Sequence, residues 1–304
     1  MRRGDFAAAW RISDEVLQRR CAAREDCSTW PRHLQFVWNG QPLDGKRVLV
    51  RCYHGLGDTI QFVRLLTLLR PRVAEVTLWC QPQLVQLLRT ARGVDRVLPL
   101  HDGPPEVEYE IDVELMELPH VLRLTLDAIP RDVPYLAAPR SPARVTGGSC
   151  NIGIVWRAGD WEWQRSLPEE ALAPLAQIEG LRWYSLQYPA RTPPFQAIDL
   201  ACADIGEMAA RMQQLDLLIS VDTMAAHLGG ALGLPVWTLL RRNCDWRWLG
   251  EGSETPWYPT MRLFRQSADG GWGTVIDCVR DALRQHLRNR ARGTRSDDCR
   301  ASSG

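Results

Sequence analysis

The chain has 304 residues, which is enough for two domains of about 100–150 residues each. Hydrophobic residues make up 45% of it and charged residues 24%, as in ordinary water-soluble globular proteins. The formal net charge of +1 argues against a dedicated nucleic-acid binder, which usually carries a basic excess. No apolar run approaches the roughly 18 residues that a membrane-spanning helix needs, so no transmembrane segment is predicted, although peripheral membrane contact stays open.

The nine cysteines are scattered and form no C-x-x-C pair, so the sequence predicts neither a zinc site nor a disulfide framework. Unpaired cysteines favour a reducing compartment, and the N-terminus shows no signal-peptide pattern. We therefore expect a cytoplasmic protein. No metal ion and no cofactor are predicted.

In chain order, residues 1–40 predict a helical segment, because apolar side chains recur at helical spacing in GDFAAAWRISDEVLQRR. Strand and helix patterns then alternate, which predicts right-handed crossovers and a parallel sheet over residues 41–140. The predicted strands lie near 47–52, 76–80 and 94–98, and the predicted helices near 58–69 and 82–90.

A segment rich in proline, glycine and serine at 128–150 predicts a linker, and the alternation restarts at Asn151. Residues 150–288 are therefore expected to form a second Rossmann-like domain, and residues 289–304 a disordered tail. The predicted strands lie near 151–156, 182–186, 217–221, 235–240 and 261–264, and the predicted helices near 169–177, 206–213, 223–232 and 272–287.

The first motif with chemical potential is HGLGDT, which follows the first predicted strand. Gly55 and Gly57 permit a tight turn and the close approach of a ligand, but Ile60 replaces the third glycine of a dinucleotide fingerprint. Asp58 is either a helix cap or a general base that faces a cleft. His54 is either a solvent-facing loop residue or a ligand-binding one.

The second motif is SVDTMAAH, where an apolar strand ends and a helix begins. Asp222 can cap that helix. Capping does not explain Thr223 and His227, which are four residues apart and therefore share one helical face. A structural histidine and a histidine at an anion-binding helix end both fit this pattern.

Two further loops carry charge. Arg157 and Arg165 follow the first strand of the second half, and each is either a surface residue or a bidentate ligand for a diphosphate. The loop NCDWRW offers Asp245 and Arg247 between tryptophans, and it predicts either a tryptophan-packed turn or a cleft loop.

The segments HGLGDTIQFVRLLTLL, SVDTMAAHLGGALGLPVW, CDWRW and TPWYPTMRLFRQ together resemble glycosyltransferase family 9, the heptosyltransferase family. The resemblance covers roughly residues 40–288 and is strongest to the branch often fused behind tetratricopeptide repeats. GDFAAAW is similar to the last helices of such an array, so residues 1–40 are expected to be a repeat remnant. The resemblance also implies a bacterial protein.

This resemblance implies a GT-B fold, in which two Rossmann-like domains face each other across a cleft. The N-terminal domain would hold mainly the acceptor and the C-terminal domain the nucleoside-diphosphate sugar. Asp58 matches the aspartate assigned as catalytic base. In the family, one segment surrounds the diphosphate and sugar of the donor. The residues of this chain that match that segment are Asp222, Thr223, Met224, Ala225 and His227.

The implied activity is inverting, metal-independent transfer of a sugar to a hydroxyl of a saccharide or protein acceptor. Two departures from the family concern the donor site. The C-terminal half contains no lysine to meet the donor phosphates, so Arg157 or Arg165 would replace it, and Met224 stands where glycine is often found. The alternative is a non-catalytic protein that binds sugar nucleotides or acts as a scaffold.

Overall fold

The computed structural model describes residues 1–140, 150–268 and 270–301, apart from the side chains of residues 160, 161 and 292–301. Its strands form two separate sheets in which all hydrogen-bonded neighbours are parallel. The first sheet has the order β3-β2-β1-β4. Its strands are β1 (Arg47–Arg51), β2 (Glu75–Cys80), β3 (Arg96–Pro99) and β4 (Ile111–Glu114).

The second sheet has six strands in the order β10-β9-β8-β5-β6-β7. The strands are β5 (Asn151–Val155), β6 (Arg182–Ser185), β7 (Ile198–Asp199), β8 (Leu217–Val221), β9 (Val236–Leu240) and β10 (Met261–Arg265). Parallel sheets with helical crossovers confirm the predicted α/β class. The segment 141–149, which is part of the predicted linker at 128–150, lies outside the described residues.

The helices connect the strands and cover the sheets. The α-helices are α1 (Phe6–Ala23), α2 (Leu56–Phe62), α3 (Leu66–Leu69), α4 (Val85–Leu88), α5 (Leu118–Val121), α6 (Ile205–Met212), α7 (Met224–Ala231) and α8 (Gly273–Ala301). The 3₁₀ segments are Arg32–Leu34, Val63–Leu65, Arg70–Arg72, Pro82–Leu84, Leu115–Glu117, Leu126–Ala128, Asp160–Arg165, Glu169–Gln177 and Trp246–Trp248. Within the described residues, no helix combines the length and apolarity needed to span a bilayer.

Several predicted elements differ in kind or extent from the observed ones. The segment Glu169–Gln177 is a 3₁₀ helix, since Pro174 lies inside it and cannot donate a helical hydrogen bond. Strands β4 and β7 were not predicted. Helix α8 begins near the predicted start at 272 and runs to Ala301, beyond the predicted end at 287; arginine and alanine are strong helix formers. Residues 302–304 lie outside the description.

The apolar core joins the two halves. One cluster of buried side chains extends from the first sheet to the face of the second sheet that α6 and α7 cover. A separate cluster lies on the opposite face of the second sheet, beneath α8 and the 3₁₀ segment Glu169–Gln177. The halves therefore have separate sheets but pack against each other through a continuous interior.

The N-terminal helix α1 is part of the core of the first half. Phe6 and Trp10 are buried, and the Trp10 indole donates a hydrogen bond of 2.8 Å to the Leu124 carbonyl. Asp14 accepts two hydrogen bonds from the Arg123 guanidinium, at 2.7 and 2.8 Å. Among residues 1–40, the structure contains α1 and one 3₁₀ turn.

The segment after α1 is anchored by one half-buried carboxylate. Glu117 accepts hydrogen bonds from the backbone N–H groups of Val37 at 3.1 Å and Trp38 at 2.9 Å. It also accepts one from the N–H of Glu114 at 2.9 Å, which ties the segment to the end of β4. Burial raises the pKa of Glu117 to about 7.

Replacing Trp10 tests whether α1 is integral to the fold. Trp10 is 6% exposed, so Trp10→Ala removes a buried ring and its hydrogen bond and should lower the free energy of unfolding by about 3–5 kcal/mol. Ile12, on the same helix, is 61% exposed, and Ile12→Ala should change it by less than about 0.5 kcal/mol. Urea denaturation measures both. Equal effects would mean that α1 is not packed as described.

Candidate active site

A cavity of about 570 Å³ lies where the two halves meet. The loops that follow β1, β5 and β8 all contribute to its wall, so it opens at the carboxyl ends of parallel strands. Ligands of open α/β sheets bind at this edge. The lining residues are His33, Tyr53, His54, Gly55, Leu56, Gly57, Asp58, Gly159, Glu162, Arg165, Asp222, Thr223, Met224, His227, Asp245 and Arg247.

Asp58 is the third residue of α2, and both of its carboxylate oxygens are engaged. Oδ2 accepts a hydrogen bond of 3.0 Å from the N–H of Gly55, the residue that caps the helix. Oδ1 lies 2.7 Å from Nη1 of Arg247, which comes from the other half of the chain. Asp58 thus combines the predicted capping role with an ion pair that the sequence did not predict.

Arg247 bridges the two halves from a buried position. Its guanidinium also donates to Oε1 of Gln61 at 2.8 Å and to Oδ1 of Asp245 at 2.9 Å. Burial alone would lower the pKa of Arg247, but the carboxylates of Asp58, Asp245 and Asp222 outweigh burial and raise it. The arginine is therefore a fixed cation in the wall of the cavity.

Aromatic packing holds the loop that carries Arg247. The Trp246 ring lies 6.0 Å from Phe62 and 6.2 Å from Trp257, measured between ring centroids. The Trp257 indole donates a hydrogen bond of 2.9 Å to the Arg247 carbonyl. Both interpretations of this loop therefore hold: its tryptophans pack as a structural turn, and its two charged side chains line the cavity.

The segment after β8 presents the start of α7 to the cavity. Thr223, not Asp222, occupies the N-cap position, and no side chain caps the helix by a hydrogen bond. The N–H of Ala226 donates to the Thr223 carbonyl at 3.1 Å. The first N–H groups of a helix have no partner within it, so those of Met224 and Ala225 stay available to an anion. The Thr223 hydroxyl lies 3.1 Å from the Ser220 hydroxyl, which orients it.

Asp222 is buried beside two basic side chains. Its carboxylate lies 3.8 Å from Nη1 of Arg165 and 3.7 Å from Nε2 of His227, both beyond hydrogen-bond distance. Burial raises the pKa of Asp222, because charge–charge attraction to the nearby arginines does not fully offset the loss of water.

His227 lines the cavity but is only 3% exposed. Its Nδ1 lies 3.0 Å from the Tyr258 hydroxyl, and its ring stacks on Trp248 with centroids 5.3 Å apart. Burial lowers its pKa well below the ordinary value, so the imidazole is neutral at physiological pH. A neutral imidazole supplies no positive charge to a diphosphate.

The remaining predicted donor-site residues divide into two groups. Arg165 and Met224 line the cavity, and Arg165 also forms an ion pair of 3.2 Å with Glu162. Arg157 and Ala225 do not line it. Ala225 is buried, and Arg157 is fixed by its backbone, whose N–H donates to Gln187 Oε1 at 2.9 Å.

His54 faces a carboxylate that the sequence analysis did not single out. Its Nδ1 lies 3.1 Å from Oε1 of Glu114, the last residue of β4, whose side chain is 2% exposed. Burial alone would lower the pKa of His54, but Glu114 and, more weakly, Asp58 raise it, against an opposing effect of Arg247. The alternating apolar and acidic residues of EIDVELMEL signal this strand and its buried glutamate.

Other lining residues were also missed. His33 comes from the N-terminal segment, Tyr53 precedes the glycine loop, and Glu162 lies in a 3₁₀ segment. None of them belongs to a recognisable motif. Among the described side chains, no group of three or more His, Cys, Asp or Glu residues is placed to hold a metal ion.

The two halves approach each other closely at Gly57. A Cβ atom at this position would lie 2.9 Å from Cδ2 of His227 and 3.3 Å from Cα of Met224. Glycine is therefore needed here for the start of α2 to pack against the start of α7. The glycine loop consequently serves the contact between the halves as well as the cavity.

No family model matches the sequence. Protein FlbA of Caulobacter vibrioides is 26% identical to the chain over 297 residues, a match that covers 81% of this chain and 48% of FlbA. The chain thus spans about half the length of the curated relative that it matches.

The solved structures similar to the chain include glycosyltransferase family 9 heptosyltransferases. The family 9 glycosyltransferase of Veillonella parvula has a TM-score of 0.55 at 14% identity, over 82% of this chain and 99% of that one. Heptosyltransferase WaaC of E. coli with ADP has a TM-score of 0.50 at 14% identity, over 80% of this chain and 99% of WaaC.

The iron-containing dodecameric glycosyltransferase TibC of enterotoxigenic E. coli has a TM-score of 0.54 at 14% identity, over 77% of this chain and 65% of TibC. At these identities the similarity shows the fold alone. The fold is mixed α/β with parallel sheets, matching the GT-B-like glycosyltransferases.

The contact at Gly57 can be tested by adding one methyl group. Replacing glycine by alanine inside an isolated helix stabilises the helix by about 1 kcal/mol. In this protein, however, the added methyl group of Gly57→Ala would collide with His227 and Met224. We expect a net loss of about 1–3 kcal/mol in the free energy of unfolding, measured by chemical denaturation.

Gly159→Ala is the matched control. Gly159 also lines the cavity and has an extended backbone, but a Cβ atom there meets nothing within 4 Å. Gly159→Ala should therefore change the free energy of unfolding by less than about 0.5 kcal/mol. If Gly57→Ala were as stable as wild type, the close approach of α2 and α7 would be refuted.

Proposed function

We propose that the chain is a glycosyltransferase of the family 9 type, which transfers a sugar from a nucleoside-diphosphate donor to a hydroxyl group with inversion at the anomeric carbon. The observation that carries this proposal is the shared cavity, because its wall combines the glycine loop and Asp58 of one half with the Asp222–His227 segment of the other. The similarity to family 9 structures supports the same conclusion.

In this proposal the diphosphate lies at the start of α7. The free N–H groups there and the helix dipole attract anions, and Thr223 and Arg165 lie beside them. Met224 lies on the cavity wall, where it limits the space for the sugar. Developing charge on the departing diphosphate is stabilised by these fixed groups.

The reaction is a single displacement. The acceptor hydroxyl loses its proton to a base and attacks the anomeric carbon as the bond to the diphosphate breaks. The resemblance assigns the base to Asp58, and His54 is a second candidate on the same wall. The acceptor would approach from the glycine loop of the first half.

The domain division belongs to the same proposal. Residues 41–140 would form the acceptor domain, residues 150–288 the donor domain, and residues 1–40 the remnant of a tetratricopeptide array. The tight packing of α1 against the first half favours an acceptor that contacts both, and a saccharide and a protein both fit that requirement.

One observation favours the second candidate, a non-catalytic protein that binds sugar nucleotides. Both arginines on the cavity wall are already paired with carboxylates: Arg165 with Glu162, and Arg247 with Asp58 and Asp245. A diphosphate must compete with these partners, so a weak, unproductive complex is the outcome that this candidate predicts.

Calorimetric titration with ADP, GDP, UDP and CDP tests the donor site. Binding of one nucleotide is expected, and Arg165→Gln should weaken it about tenfold or more, because a charged hydrogen bond to phosphate is lost. Arg191→Gln is the control, since Arg191 is an exposed arginine of the same half that pairs with Glu169.

Release of the nucleoside diphosphate from ADP-heptose, ADP-glucose, UDP-glucose and GDP-mannose then tests turnover in the presence of candidate saccharide acceptors. Binding followed by release supports the transferase. Binding without release from any of these sugar nucleotides supports the non-catalytic candidate. If no nucleotide binds, both candidates fail.

A further inference from the structure

His54 and Glu114 form a pair on the cavity wall that resembles the histidine–carboxylate arrangement of general-base catalysis. Glu114 is fixed by the N–H group of Tyr53, which donates to its Oε1 at 3.0 Å, and by the N–H of Met116. The backbone of His54 is fixed as well, since Nε2 of Gln81 donates to its carbonyl at 2.6 Å. The pair is therefore held rigidly at the ends of β1 and β4.

The orientation of the imidazole suits a proton acceptor. Nδ1 of His54 is buried and lies 3.1 Å from Oε1 of Glu114, within ion-pair distance although without hydrogen-bond geometry, whereas 32% of the side chain is exposed in the cavity. A carboxylate at this distance favours the tautomer with the proton on Nδ1. The lone pair is then on Nε2, the ring nitrogen that does not face Glu114.

Asp58 is placed less well for the same task. Its Oδ1 is held by Arg247 at 2.7 Å and its Oδ2 by the Gly55 N–H at 3.0 Å. To accept a proton, Asp58 must weaken its attraction to a buried cation. His54 needs no such rearrangement, because protonation improves its attraction to Glu114.

We propose that His54, oriented by Glu114, is the base that deprotonates the acceptor hydroxyl. This inference rests on the proposed transferase function. The hydroxyl proton passes to Nε2 of His54, and the oxygen lone pair forms the bond to the anomeric carbon. The bond between that carbon and the diphosphate oxygen breaks, and its electron pair leaves with the diphosphate. The imidazolium is stabilised by Glu114 and returns its proton to water after product release.

The remaining charged groups around His54 set its response to pH. Asp58 on α2 favours the protonated ring and Arg247 opposes it, while Glu114 has the largest favourable effect. The pKa of His54 is therefore raised above its ordinary value of about 6.5. Because only the neutral ring accepts a proton, turnover should be full above the raised pKa and fall as the pH drops through it.

The experiment compares His54→Asn, Asp58→Asn and Glu114→Gln, using the sugar nucleotide of the four named above that is turned over fastest. His54→Asn should lower kcat by about 10²–10⁴-fold and remove the acidic limb of the pH profile. Imidazole added to His54→Ala should restore part of the activity. Glu114→Gln, which changes a positioning residue, should move the acidic limb to lower pH.

Asp58→Asn separates the two bases. If the inference is correct, this variant keeps the acidic limb, whatever its loss in kcat from the broken Arg247 contact. Loss of the limb in Asp58→Asn, or kcat within tenfold of wild type in His54→Asn, overturns the inference while leaving the transferase in place. Absence of turnover with all four sugar nucleotides instead refutes the transferase itself, and the inference with it. His101→Asn, outside the cavity, should behave as wild type.

Discussion

The contact of Arg247 with Asp58 and Gln61 is the interaction on which the site depends, since it joins the loop after β9 to helix α2 across the two halves. A buried guanidinium in this position must remain paired, because an unpaired charge inside a protein costs several kcal/mol. The pair therefore fixes how closely the halves approach and where Asp58 points. It also holds one carboxylate oxygen of Asp58 in a contact between the two halves.

The cavity wall carries more carboxylate groups than guanidinium groups, which is unusual for the diphosphate site proposed for it. Four carboxylates line it, those of Asp58, Glu162, Asp222 and Asp245, against the guanidinium groups of Arg165 and Arg247. Burial favours the neutral form of Asp222, which reduces the excess of negative charge. The start of α7 supplies positive potential without a side chain. Such a site should discriminate strongly by ligand charge.

The sequence was sufficient to predict the α/β class and the strands around both motifs, because apolar runs flanked by glycine and polar residues have strong periodicity. Residues 54–58 and Asp222–His227 each lie at the carboxyl edge of their own parallel sheet, and the packing of the two halves brings these two edges together at one cavity. The sequence could not predict that Arg247 pairs with Asp58 or that Glu114 faces His54. Those contacts join residues separated by 60 or more positions, so they depend on tertiary packing and not on local pattern. The exclusion of Arg157 from the cavity likewise follows from the local path of its loop.

The carboxylate of Glu117 links the N-terminal segment to Glu114, the residue that faces His54. From a half-buried position it accepts hydrogen bonds from the backbone N–H groups of Val37 and Trp38 on one side and of Glu114 on the other. A pull on residues 35–38 would therefore be transmitted through three hydrogen bonds to the carboxylate that orients His54. Under the mechanism proposed above, tension along residues 35–38 would change the orientation of the base, so the N-terminal segment would be a route by which force reaches the cleft.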